Sequence, residues 1–239
     1  MNIAIILAAA GCGSRMEAAK NKVLLPLGGL PLLCRSLGLF QNDPLVSRIL
    51  VTAAPGDLEA FRELILPYDK ARLCLGGASR QESISRALAA LQQEATGAEL
   101  PWDRVAVHDG ARPLLSLSDW QRLQEAAENA SAALLVRPMT DTVKQTEGGK
   151  VLSTIPRESL SAALTPQIFE TKLLLEAYAA AREGGYSATD DAELVEKLGL
   201  QPLAIPARDP NPKITFPPDL AMAEALLSAR QCRKESREK

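Results

Sequence analysis

The chain predicts an α/β fold in three layers, a mostly parallel twisted sheet with helices on both faces. Short apolar runs suited to buried strands alternate with stretches of helical periodicity. The first such run opens directly into a loop of small residues, Ala8 to Gly13. The 239 residues, 46% of them hydrophobic, can bury a substantial core in one large domain or two small ones. No repeat or linker divides them, so they read as a single domain over 1–239.

Asn2 to Leu7 is the first strand and Ile49-Leu50-Val51-Thr52 the second, followed by a helical stretch from Asp57 to Leu66. Ala71 to Leu75 is the third strand, ending at Gly76-Gly77. A helix from Ser79 to Gln93 follows, with Ile84, Leu88 and Leu91 at helical spacing. Arg104 to His108 is the fourth strand, and Ser118 is the expected cap of a helix running to about Asn129. Ala132 to Val136 is the fifth strand. This β-α alternation is Rossmann-like.

The pattern then changes. Asp141 to Gln145 and Val151 to Ile155 are short β-prone segments, with Glu147-Gly148-Gly149 as the turn between them. They read as a protruding hairpin arm, spanning 137–157 with its flanks. A two-stranded arm is marginal alone and needs a surface to pack on, for which a second copy of the chain is the natural candidate. From Glu170 onward two helical stretches are expected, then a short strand near Gln201 to Ile205 and a closing helix from Pro218 to about Ala229. Residues 233–239 form a charged tail expected to be frayed and disordered.

A net charge of −2 gives no electrostatic footprint for nucleic acid. No apolar run reaches membrane-spanning length, and the strand-like start lacks the features of a secretory signal. A cytoplasmic location is therefore expected. Cys12, Cys34, Cys74 and Cys232 form no C-x-x-C pair and read as reduced thiols. His108 is the single histidine, which argues against Ser-His or Cys-His hydrolysis.

Ligands of an open parallel sheet bind outside the carboxyl ends of its strands. The segments at those ends are Gly11-Cys12-Gly13-Ser14-Arg15, Gly76-Gly77-Ala78-Ser79-Arg80, Asp109-Gly110-Ala111-Arg112-Pro113 and Pro138-Met139-Thr140-Asp141-Thr142. The first loop lets backbone N–H groups approach a phosphate, with Arg15 and Lys22 as neutralising cations. It matches neither the dinucleotide fingerprint nor the phosphate-loop pattern. Arg80 and Arg86 read as a solvated helix face and His108 as a structural residue at a strand end. Asp190 and Asp191 read as caps of the next helix, assisted by Thr189, and Leu37, Leu39 and Phe40 as core.

Taken in order, these segments resemble the cytidylyltransferases of the methylerythritol phosphate route to isoprenoids. The marks are the Ala8–Met16 loop, Gly76-Gly77 with Ser83, His108 to Pro113, and Asp141-Thr142-Val143-Lys144. Thr165 to Phe169, Thr189-Asp190-Asp191-Ala192 and Lys213-Ile214-Thr215 complete the set. The family usually carries Pro-Lys-Gln where this chain has Asn21-Lys22-Val23, and commonly a tryptophan where it has Ser161.

The resemblance implies a fold of the nucleotide-diphospho-sugar transferase type. It implies transfer of CMP from CTP to 2-C-methyl-D-erythritol 4-phosphate, with pyrophosphate released. Arg15 and Lys22 would stabilise charge at the α-phosphate, and Arg157 and Lys213 would hold the acceptor phosphate in line. Ala8, Ala9, Ala10, Gly11 and Gly13 would line the nucleotide, and Gly76, Gly77 and Ser83 would read the cytosine. Asp109, Arg112, Thr142 and Thr165 would contact the acceptor. Mg²⁺ is expected on the CTP phosphates, with no protein ligand assigned. A homodimer through the arm is also implied, with Arg157 reaching the partner's site. Two other readings stay open: a ribitol 5-phosphate cytidylyltransferase, and a non-catalytic nucleotide-binding protein on the same fold.

Overall fold

The computed structural model describes residues 1–11, 21–95 and 100–235. Its centre is a seven-stranded sheet. The strands expected from the sequence are all present: β1 (Ile3–Ala8), β4 (Val46–Ala53), β5 (Ala71–Leu75), β6 (Arg104–Asp109), β7 (Ala132–Pro138) and, late in the chain, β11 (Leu203–Pro206). β2 (Pro26–Leu27) and β3 (Leu30–Pro31) form a separate two-residue hairpin.

The seventh strand of the sheet, β10 (Ser161–Glu170), was not expected. It lies between β6 and β7 and runs antiparallel to both, giving the order β11-β7-β10-β6-β1-β4-β5. Pro166 argues against a central strand because it cannot donate to a ladder. The structure accommodates it in a register break, with pairing to β7 interrupted between Ala163 and Gln167. The other neighbouring strands of the sheet are parallel.

β1 shows why both faces of the sheet are covered. Ile3, Ile5 and Leu7 enter one apolar cluster, while Ala4 and Ile6 enter the other. Alternate side chains point to opposite faces, so a strand apolar at every position needs helices on each side. On the first face pack α1 (Leu32–Gln41), α2 (Leu58–Ile65) and α4 (Leu117–Asn129), through residues such as Phe40, Phe61 and Trp120. On the second pack α3 (Arg80–Glu94), α5 (Thr171–Gly184) and α6 (Asp191–Glu196), through Leu88, Leu174 and Val195. α7 (Pro217–Glu235) buries Ala223 against Leu27, Leu32, Leu114 and Ile214.

Two boundaries differ from expectation. α4 is capped by Ser116, whose side chain accepts from the Asp119 N–H, so the cap lies two residues before Ser118. α7 extends beyond Ala229 to Glu235, and the rest of the expected tail, 236–239, lies outside the described residues. β8 (Val143–Glu147) and β9 (Lys150–Ile155) form the arm. Their turn places Gly148 and Gly149 at φ +54° and +77°, the left-handed pair that a two-residue hairpin loop requires. Arg137 and Pro138, at the expected start of the arm, still belong to β7. Among the described residues, no helix is long and apolar enough to cross a membrane.

Candidate active site

A cavity of about 460 Å³ opens at the carboxyl ends of β1, β4, β5 and β6. Ala8, Ala9, Ala10 and Gly11 line one side, with Lys22 and Val23 from the turn that follows. Gly77, Ala78, Ser79, Arg80 and Ser83 come from the end of β5 and the start of α3, and Asp109 from the end of β6. Lys213 and Thr215 close it from the segment before α7. The expected Arg15 and Gly13 lie outside the described residues.

The loop after β5 is held by its own helix. Ser79 caps α3 by accepting from the Glu82 N–H at 3.0 Å, and Glu82 reaches back to accept from the Ala78 N–H at 2.8 Å. Ser83 Oγ accepts from the Gly77 N–H at 2.9 Å and donates to the Ser79 carbonyl at 2.8 Å. A Cβ on Gly76 would collide with the Ala10 methyl, and one on Gly77 with the Glu82 side chain. Gly76 is thus required by the close approach of the two loops, and Gly77 by the Glu82 side chain folded back over its own loop.

Asp109 is the electrostatic centre. Lys213 Nζ lies 2.9 Å from Oδ2, Arg112 Nε 3.4 Å from the same oxygen, and Arg80 Nε 3.5 Å from Oδ1. Burial by itself would raise the carboxyl pKa. Lys213, then Arg80 and Arg112, outweigh it and hold the group well below the usual carboxylate range. The cavity wall thus carries the cations Lys22, Arg80 and Lys213 together with Asp109, a basic lining suited to polyphosphate. Among the described residues, no cluster of three or more His, Cys, Asp or Glu could cage a metal ion. The chemistry of these donors fits a cation that arrives on phosphate oxygens rather than one held by side chains alone.

Arg80 corrects the sequence reading. It is no solvated residue, since its Nη2 donates to Asp191 Oδ2 at 2.6 Å. Asp191 is fully buried and also accepts from the Tyr178 hydroxyl at 2.5 Å, so it is an anchor rather than a helix cap. Burial opposes the Arg80 charge, but Asp191 and Asp109 outweigh it and raise the guanidinium pKa. Burial and Asp191 push the Tyr178 hydroxyl up as well. Asp190 does cap α6, accepting from the Glu193 N–H at 2.9 Å. The one local sign of Arg80's place was its position immediately after the Gly76–Ser79 loop.

Behind the cavity wall, His108 is fully buried and structural, as expected. Its Nε2 lies 3.0 Å from the Arg112 carbonyl, which can only accept, so the proton sits on Nε2. Thr165 Oγ1 then donates to Nδ1 at 3.1 Å and accepts from the Asp109 N–H at 3.0 Å. Burial lowers the imidazole pKa to about 4. Thr165 and Arg112 therefore brace Asp109 from the rear and do not line the cavity. Thr142 is exposed before β8. Arg157, in a short helical turn after β9, donates from Nη1 to the Thr140 carbonyl at 2.6 Å. The arm residues Thr142 and Arg157 are thus not gathered into the cavity of their own chain.

Comparison with known proteins decides the family. The family model described as "IspD: 2-C-methyl-D-erythritol 4-phosphate cytidylyltransferase" matches residues 3–229. The chain belongs to this cytidylyltransferase family. The 2-C-methyl-D-erythritol 4-phosphate cytidylyltransferase of Acidobacterium capsulatum is 40% identical over 245 residues, covering 98% of this chain and 100% of that protein. The one from Geobacillus kaustophilus is 40% identical over 233 residues, covering 96% and 99%. Among solved structures, the Thermus thermophilus cytidylyltransferase superposes with a TM-score of 0.76 at 36% identity, covering 95% of this chain and 98% of that one. The 4-diphosphocytidyl-2C-methyl-D-erythritol synthase of Anaerococcus prevotii reaches 0.82 at 26% identity, covering 95% and 96%. A cytidylyltransferase is a nucleotidyltransferase, so this chain's family is enzymatic, and these names specify the methylerythritol acceptor rather than ribitol phosphate.

Proposed function

We propose that this chain transfers CMP from CTP to 2-C-methyl-D-erythritol 4-phosphate, giving 4-diphosphocytidyl-2-C-methyl-D-erythritol and pyrophosphate. The observation that carries the reading is one cavity joining the small-residue loop and Lys22 to the Asp109–Lys213 pair. The first half suits a nucleoside triphosphate and the second an anionic acceptor.

An acceptor phosphate oxygen attacks the α-phosphorus of CTP in line, and the bond to the pyrophosphate oxygen breaks. A phosphate monoester is already anionic near neutral pH, so no side chain need remove a proton. The obstacle is electrostatic repulsion between two anions, and catalysis consists of positioning and charge stabilisation. Arg15 and Lys22 meet the charge that grows at the α-phosphate. The Ala8–Gly13 loop lines the triphosphate. Gly76, Gly77 and Ser83 read the cytosine, their oxygens keeping acceptor capacity for its amino group while the glycine N–H groups and the Ser83 proton hold the loop.

Lys213 holds the acceptor phosphate, with Asp109 fixing the ammonium. Arg112 and Thr165 act through Asp109 rather than by direct contact. Arg157 and Thr142 belong to the arm and complete the acceptor site of a second copy in a homodimer. Val151 and Leu152, exposed apolar residues on β9, support such packing. Mg²⁺ bound to CTP phosphates supplies further charge neutralisation. We also propose a single domain acting in the cytoplasm, where these soluble phosphates would be met. Incubation with CTP, Mg²⁺ and each alcohol phosphate tests the reading: pyrophosphate release with the methylerythritol compound supports it, whereas preference for ribitol 5-phosphate or CTP binding without turnover refutes it.

A further inference from the structure

Asn21 is nearly fully buried, at 4% exposure, and its side-chain amide makes three hydrogen bonds. Nδ2 donates to the Ala9 carbonyl at 2.9 Å and to Asp57 Oδ2 at 2.7 Å. Oδ1 accepts from the Val23 N–H at 3.2 Å. The amide orientation follows from its partners, because a carbonyl and a carboxylate can only accept. One side chain therefore ties together the start of the loop after β1, the turn that carries Lys22, and the turn before α2. Ala9 is fixed in its own right, its N–H donating to Thr52 Oγ1 at 3.1 Å.

Lys22 is the first residue of the short 3-10 turn Lys22–Leu24, and Asn21 is its cap. The lysine backbone is thereby held to Ala9, which lines the same cavity. A flexible four-carbon side chain is useful in the transition state only if its root is fixed. A displacement of about 1 Å in a positioning element can cost about a hundredfold in rate. We infer that Asn21 is the positioning residue for Lys22, setting the lysine's distance from the Ala8–Gly11 loop with Asp57 as its outer anchor. The inference rests on the proposed role of Lys22 at the α-phosphate.

The test is a double-mutant cycle on the full chain with CTP and 2-C-methyl-D-erythritol 4-phosphate, reading kcat, CTP Kd without acceptor, and Tm. Asn21→Ala is expected to lower kcat by about tenfold or more while CTP Kd moves less than about threefold. In the Lys22→Ala background the same change should alter kcat by less than about threefold, because the group being positioned is gone. An equal fall in both backgrounds would overturn the inference. Lys22→Ala retaining full kcat would refute the lysine's role, and the positioning claim with it. Should Asn21→Ala fold poorly, Asn21→Asp keeps the volume but sets a carboxylate against Asp57 and the Ala9 carbonyl. Adding Asp57→Asn restores a donor between residues 21 and 57. Partial recovery of kcat is expected, and no recovery in a folded double variant counts against the inference.

Discussion

Replacing Asp191 with alanine would dismantle the buried anchor of Arg80. The carboxylate takes a 2.6 Å bond from Arg80 and a 2.5 Å bond from Tyr178. Losing the first removes a charge-assisted bond, worth about 1.5–3 kcal/mol, and losing the second leaves a buried hydroxyl without its acceptor, at about 1–3 kcal/mol. Arg80 keeps Asp109 at 3.5 Å and a 28% exposed side chain, so its charge is partly relieved. The two together are about 2.5–6 kcal/mol, which brackets the range of about 3–5 kcal/mol expected for removing one partner of a buried ion pair. In a chain of this length each kcal/mol moves Tm by about 2–4 °C, which gives a fall of about 6–20 °C. Calorimetry on Asp191→Ala beside the unchanged protein measures it. Tyr178→Phe, which removes the hydroxyl alone, should lose about 1 kcal/mol. A drop below about 3 °C for Asp191→Ala would refute the anchor.

Three further outcomes follow from the site. Lys22→Ala should lower kcat by about 10²- to 10³-fold with a much smaller change in CTP Kd by calorimetry, since its interaction grows in the transition state; equal losses in both would contradict that role. His108 is held neutral, with a pKa lowered to about 4 from an ordinary 6.5. Its contribution to stability is complete above pH 6.5 and is lost as pH falls toward 4, about 3 kcal/mol in all. Urea unfolding should therefore show a weaker acid dependence over that window in His108→Gln. Mixing Arg157→Ala with Lys22→Ala protein should restore some turnover through mixed dimers; no recovery after demonstrated subunit exchange would return Arg157 to its own chain.

Much of this was legible in the sequence because the signals were local. β1 reads as a buried strand from six consecutive residues, and Gly148-Gly149 specifies the arm's turn without help from the rest of the chain. The strand-end rule placed the loops after β1, β5 and β6 at the cavity, whereas the fourth expected loop, Pro138 to Thr142, does not line it. What stayed hidden depends on distant partners. Arg80 looked solvated because Asp191 lies 111 residues away, and Asp109 gives no local sign that Lys213 will neutralise it. β10 was masked by Pro166 and by the polar Thr165 and Gln167, which turn inward to His108 and to Asp190. α1 lacked a clear polar face, since residues 32–34, 36, 37 and 40 are all buried. Asn21 stood out in the sequence only as a departure from the family's usual neighbour of Lys22, and its partners Ala9 and Asp57, 12 and 36 residues away, give no local sign of the anchor they form.

The central claim is direct transfer: positioned cations let the acceptor phosphate attack CTP without a covalent protein intermediate. Phosphorus stereochemistry tests it most directly. With CTP bearing sulfur at a chiral α-phosphorus, a single in-line displacement onto 2-C-methyl-D-erythritol 4-phosphate should invert the configuration in the product. Retention would reveal two successive displacements through a nucleotidylated side chain and contradict the account.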